Sequence, residues 1–431
     1  MFRDLFRDPW EPFLIENESD SPIPYGFLWN TASSSPTLIR CDENGDSLTL
    51  TSADFDNHPL WGNIRRCQLT KPGDNWEVAY GTNARGDGLT TTTNYMMVEI
   101  PRAHVITWDD GDYHGWCLAD APFKGYPTGT EISSVGHPWF NQRGNSSAPL
   151  ERGYVGCYKG CATNTSDNNT GTLQSRSGVA PTGNVTQANF EAKANNIGTK
   201  WGITNVWYQS LLQLLMYTEF ASLNIQSALA PGFTKSTNTK PQTTGVHDNL
   251  MGTNGTGGGT DVQGVNYRGI NNPYGDIWEH RIGWNSTDAE YRVVKRDGTG
   301  TMQVELTTGN YEATSGVIPL QNTTGNTGGG TTSTSGYTYG YVRTITRADP
   351  LKLLMVAHGS QALTGSDTTY ACDYFYSHSK TSPAQKGFLM AGSYWAAAGI
   401  AGPGTLYLSN ALSAVNADFG ARLEYLGVVI S

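Results

Sequence analysis

The sequence predicts an α+β protein in which strands outnumber helices. Three features of its 431 residues carry that prediction. Short β-prone runs are cut by turn residues throughout the first half. A single long stretch carries helical spacing. Two long segments are rich in Gly, Thr, Ser and Asn, which suits connections rather than core. Charged residues make up only 15% of the chain, so its polarity comes from these small residues. With 12 Trp, 22 Tyr and 13 Phe it is far too aromatic for a disordered chain.

Taken in order, residues 1–60 mix proline with aromatics, as in Trp10-Glu11-Pro12-Phe13 and Pro22-Ile23-Pro24-Tyr25. Proline fixes φ and removes a donor, so an extended arm that anchors the protein to a partner is expected. Residues 61–190 read as short strands and turns, with β-prone runs at 95–100, 104–108 and 153–158. The acidic Asp109-Asp110-Gly111-Asp112 lacks the spacing and distal Glu of a calcium loop and is read as a hairpin turn. A helix is expected over 205–229, capped by Thr204 or Asn205 and stopped by Pro231-Gly232. Gln209, Gln213 and Glu219 interrupt its apolar surface, and Glu219 is expected to be solvated or bonded to backbone. Segments 232–264 and 307–340 are read as inserted loops. No Gly-Lys-Ser/Thr follows their glycines, so they are not phosphate cradles.

Several function classes are disfavoured. A net charge of −10 repels phosphate backbones, so no nucleic-acid partner is expected. No apolar window is long enough for a membrane span, and the N-terminus lacks the apolar region of a secretory signal. Cys41, Cys67, Cys117, Cys157, Cys161 and Cys372 lack zinc-site spacing and are expected as buried thiols, a disulfide between one or two pairs being the alternative. The eight histidines are scattered singly, no nucleophile elbow or metalloprotease helix is present, and no carboxylate pair stands out. No catalytic residue, metal or cofactor is therefore assigned, and the chain is not expected to be an enzyme.

The C-terminus is different. From Gly387 to Leu426 it reads GFLMAGSYWAAAGIAGPGTLYLSNALSAVNADFGARLEYL, with only Asp418, Arg422 and Glu424 charged after Gly387. Gly392, Trp395, Gly402, Leu406, Leu408, Asn410, Ala411, Gly420 and Arg422 form a frame separated by residues of no shared chemistry. This spacing resembles the variable region of proteins diversified by diversity-generating retroelements, whose frame runs close to G-S-W-x5-A-G-x3-L-x-L-x-N-A-x-S-x5-G-A-R. Tyr394 stands between Ser393 and Trp395, where that frame has no residue. Matched position by position, the changeable set is Tyr394, Ala396, Ala397, Ile400, Gly404, Tyr407, Ser409, Ala414, Val415, Ala417, Asp418 and Phe419. All of these residue types are reachable from an Asn codon by changing its adenines. The likeness extends upstream to Trp201-Gly202, the helix, and 267–279, which resemble virus tail-associated C-type-lectin-like domains. Trp61-Gly62-Asn63-Ile64-Arg65-Arg66-Cys67, 97–101 and Gly136-His137-Pro138 are similar to the module preceding such domains.

The resemblance implies an arm at 1–60, a β-rich tail-type module at 61–190 and a C-type-lectin-like ligand-binding domain at 191–431. The variable region would span about 388–426. A surface that tolerates change cannot also be the core, so Trp278, Trp395, Leu406, Leu408, Asn410 and Arg422 are expected as scaffold. Trp278 and Trp395 are accordingly placed in the core or rim rather than against a ligand. Alternation of Leu406 and Leu408 with Tyr407 and Ser409 suits a strand with one buried face, and tyrosine is an efficient contact residue. The implied function is recognition of a host-surface protein or glycan by a virus particle. The protein would be made in the host cytoplasm and carried on the virion with other virion proteins, in several copies, a homo-oligomer being among the arrangements allowed. Two other readings stand beside it. One is a static tail or capsid component. The other is an enzyme on the related formylglycine-generating fold, which needs reactive cysteines near its site, whereas Cys372 stands alone in this half.

Overall fold

The structure is a computed structural model. It describes residues 22–71, 73, 75–123, 136–140, 149–250, 255–256, 264–287, 290–294, 311–317, 321–322, 325–326, 329–332, 338–346, 353–377, 387–397, 400–411 and 413–427. The first 21 residues of the expected arm, parts of both Gly/Thr-rich segments and Gly399 lie outside that set.

Strands predominate, in open sheets, with few helices among the described residues. A four-stranded antiparallel sheet has the order Ile39–Cys41, Tyr25–Asn30, Tyr113–Ala119, His104–Asp110. Part of the segment expected as an arm is thus a central strand, because Phe27 and Trp29 alternate onto its buried face. Asp110 faces Tyr113 across a two-residue turn in which Gly111 takes a φ of +57°, so the acidic run is a hairpin.

A six-stranded antiparallel sheet runs Trp201–Ile203, Leu423–Tyr425, Arg152–Gly156, Met96–Pro101, Arg65–Thr70, Glu77–Tyr80. Its second strand comes from the far C-terminus and is seated between strands that lie on either side of residue 190 in sequence. Trp76, Trp201, Tyr154 and Tyr425 pack with Phe190 and Leu423 into a core on this sheet.

The helix Val206–Phe220 is buried along its whole length up to Glu219, its polar side chains included. Asn205 caps it, its side-chain oxygen accepting from the amides of Trp207 (2.8 Å) and Tyr208 (3.1 Å). It ends nine residues sooner than its periodicity predicts. Ala221 turns left-handed, and the backbone then pairs with 36–38: Leu38 N donates to Ala221 O and Leu223 N donates to Pro36 O. A separate turn of helix follows at Ile225–Ala228, capped by Asn224. Within Val206–Phe220, Gln209, Gln213 and Glu219 are buried. Gln209 donates to Pro403 O and accepts from Arg281 Nε, and Gln213 accepts from Met355 N. Glu219 is held by both Nε (2.8 Å) and an Nη (2.6 Å) of Arg268, which corrects the expectation of a solvated or backbone-bonded carboxylate.

A nine-stranded mixed sheet completes the fold. Its path is Tyr311–Val317, Glu290–Val294, Trp278–Thr287, Gly387–Ala391, Leu406–Tyr407, Tyr374–Tyr376, Thr338–Tyr341, Thr331–Thr332, and Phe419–Gly420 pairs in parallel with the start of Trp278–Thr287. One hydrophobic cluster joins residues from both halves of the chain, including Phe27, Trp61, Trp139, Leu211, Tyr267, Phe375 and Leu406. All six cysteines are buried free thiols. No helix among the described residues is long and apolar enough to cross a membrane.

Candidate ligand-binding site

The C-terminal region converges on one face of the nine-stranded sheet. Leu406 and Leu408 are fully buried, while Tyr407 and Ser409 are half-buried on the other face. Tyr407 pairs with Met390 on one side and Tyr376 on the other. Its ring lies 5.3 Å from that of Trp278 and 4.8 Å from that of Tyr376. The turn from Asn416 to Phe419 is closed by Phe419 N donating to Asn416 O and pinned to the body by Asn184 N donating to the same carbonyl. Trp278 N donates to Asp418 O at 2.9 Å, and Phe419 packs against Trp278.

Together these elements enclose a concavity of about 350 Å³. Its walls are Trp278, Tyr376, Tyr394, Tyr407, Asn410, Ala414, Val415, Asn416, Asp418 and Phe419. Six of them (Tyr394, Tyr407, Ala414, Val415, Asp418 and Phe419) belong to the changeable set. Tyr376 and Asn416 were not singled out from the sequence. Asn416 lies inside the C-terminal frame, but Tyr376 reaches the site only through the parallel pairing of Tyr374–Tyr376 with Leu406–Tyr407.

The remaining changeable positions lie elsewhere. Ala396 and Ile400 are half-buried, Ala397 is buried, Ser409 is half-buried and Ala417 is exposed, and none lines the concavity. Gly404 departs from its assignment. Its amide donates to Asp373 Oδ2 at 3.0 Å, and a Cβ there would fall 2.3 Å from that oxygen and 2.8 Å from the Tyr217 hydroxyl. The position is closed to side chains unless the Asp373 carboxylate moves. Phe419 is only 6% exposed, so it serves the core as well as the wall.

Of the expected scaffold, Trp278 is 3% exposed yet forms part of the wall, and Asn410 also lines it. Trp395 is half-buried, edge-on to Tyr394, and its carbonyl accepts from Asn238 Nδ2 at 2.9 Å. Arg422 is fully buried and acts as a clamp. It donates to the carbonyls of Gly156, Cys157, Asn271 and Asn272 and to both oxygens of Glu279. Lys159 and Arg281 also reach Glu279. Burial alone would raise the Glu279 carboxyl, but these three cations outweigh it and hold the group well below the ordinary carboxylate range. Burial pushes Lys159 down to about 8 against the pull of Glu279. The neighbouring Glu424 accepts from Trp139 Nε1 (2.7 Å) and Asn205 Nδ2 (2.9 Å), tying the last strand to the helix cap.

Two features of the site itself are unusual. Ser393, beside Tyr394, is fully buried at a φ of +77°, a backbone region that L-residues rarely adopt, and its hydroxyl has no hydrogen-bond partner among the described residues. Asp418 carries a buried Oδ1 that likewise has no partner among them, and burial raises its pKa. No group of three or more His, Cys, Asp or Glu among the described residues is placed to hold a metal ion.

Neither a protein-family model nor any curated protein matches the chain. Among solved structures it is similar to the Major Tropism Determinant M1 variant at 12% identity and a TM-score of 0.29, covering 92% of this chain and 93% of that one. The P3c and U1 variants give 12% and 0.28, covering 90% of this chain and 91% of theirs. A likeness at these TM-scores decides neither fold nor function.

Proposed function

We propose that this chain is a virion-surface recognition protein whose C-terminal concavity receives a host-surface ligand, on a C-type-lectin-like scaffold diversified at the walls. One observation carries the proposal. Six residues that a sequence frame marks as changeable, scattered from Tyr394 to Phe419, come together around a single aromatic concavity. Behind them the part of the frame read as scaffold does a different job. Leu406, Leu408 and Arg422 are fully buried, so the walls can change while the support stays fixed. Tyrosines on the walls offer contact area and a hydroxyl at low entropic cost. Among the described wall residues Asp418 is the single carboxylate, with no histidine or cysteine beside it, a set suited to binding rather than to paired acid–base chemistry. We therefore assign the chain no enzymatic activity.

A static tail or capsid component is the second reading. What favours it is that half of the changeable set lies away from the concavity and that a side chain at Gly404 would have to displace the Asp373 carboxylate.

The test uses Tyr394→Ala and Tyr407→Ala, both at half-buried wall positions. Binding of the purified chain to host cells should fall by at least about tenfold for the double variant, as loss of central aromatic contacts does. Its melting temperature should stay within a few degrees of the parent. A static component would show no saturable cell binding to lose.

A further inference from the structure

The concavity has a chemical preference written into its walls. Four rings (Trp278, Tyr376, Tyr394 and Tyr407) and Phe419 surround it, and the charged group among its described wall residues is Asp418. No lysine, arginine or histidine is among its described wall residues. The cationic cluster of Lys159, Arg281 and Arg422 is fully buried and already committed to Glu279. An aromatic face carries negative potential, so rings around an uncompensated carboxylate make a site for positive charge. Asp418 is half-buried, so its carboxylate is partly desolvated where it lines the concavity, and a cationic donor brought to it offsets that cost.

We infer that the concavity takes the basic side chain, arginine or lysine, of a protein on the host surface, with the cationic nitrogen against Asp418 and the alkyl stem among the rings. This rests on the recognition function proposed above and names its ligand chemistry. Several considerations favour this occupant. The chain carries a net charge of −10, so a basic partner is attracted at a distance as well as in contact. A choline headgroup would bring its phosphate towards Asp418 and the same acidic surface. A neutral sugar would leave the carboxylate without a counter-charge. The partial burial of Asp418 already raises its pKa, and a bound cation would reverse that shift. Because Asp418 is itself in the changeable set, the preference belongs to this version of the site, and exchange of that one residue would redirect it.

The experiment titrates the full chain, followed by ligand-observed NMR, with N-acetyl-arginine methylamide, its neutral isostere N-acetyl-citrulline methylamide, phosphocholine and methyl glucoside. The arginine derivative should bind at least about tenfold more tightly than the citrulline one, the order expected for a partly desolvated cation–π and ion-pair contact. Asp418→Asn should erase that ratio, and Tyr407→Ala should weaken the arginine derivative. Equal binding of arginine and citrulline derivatives, preference for phosphocholine or the glucoside, or no binding of the arginine derivative would each overturn the inference. Cell binding that Tyr394→Ala and Tyr407→Ala abolish would leave the recognition function standing in all of those cases. Loss of both would remove it too.

Discussion

At the scale of single residues, the sharpest feature is Ser393, buried in left-handed backbone where the chain leaves the Gly387–Ala391 strand for Tyr394. A non-glycine residue there costs about 1–2 kcal/mol, which glycine avoids. Glycine gives back roughly 0.5–1 kcal/mol through the entropy of the unfolded chain. Ser393→Gly also deletes a hydroxyl with no partner among the described residues. It should raise stability by about 1 kcal/mol in denaturant unfolding, within the range for relieving such strain. No gain, or a loss, would mean that the hydroxyl has a partner and the conformation is held at little cost. Tyr394, Tyr407, Ala414, Val415, Asp418 and Phe419 could be marked because the frame is a local pattern in sequence, whereas Tyr376 could not, since it arrives by strand pairing. The exclusion of side chains at Gly404 was not legible either, since it depends on Asp373 and Tyr217 arriving from distant segments.

Elements were legible where their cause is local. Residues 206–220 have helical spacing and an Asn cap, and both are found. The break at Ala221 was hidden because its cause is pairing with 36–38, far away in the chain. Likewise, nothing in the runs around Lys159, Glu279 and Arg422 announces that they meet. Their cluster joins the Trp278–Thr287 strand, the loop after Arg152–Gly156 and the approach to Leu423–Tyr425. Glu279→Gln would leave three buried cations without an anion, and breaking such a set costs about 3–5 kcal/mol. Thermal unfolding should show a fall of many degrees. A change within error would mean that the cations find other partners and that Arg422 is held by its backbone carbonyls alone.

For the whole molecule, strand content and loop-rich character followed from composition, whereas the joining of the two halves did not. Leu423–Tyr425 sits between Trp201–Ile203 and Arg152–Gly156, and one hydrophobic cluster draws on residues from Phe27 to Leu426. A sequence shows turn residues between strands but not which distant strands will share a sheet. Calorimetry should accordingly show one cooperative transition for the described body, because neither side of residue 190 completes the six-stranded sheet alone. Two well-separated transitions would assign the halves independent stability.

The central claim is that the walls change while their support does not. Deep sequencing of the last part of this gene across its natural population tests it most directly. The account predicts substitutions concentrated at Tyr394, Tyr407, Ala414, Val415 and Asp418, with Leu406, Leu408 and Arg422 fixed and Gly404 kept as glycine. Substitutions spread evenly along the region, or sparing those five walls, would contradict it and leave a static virion component.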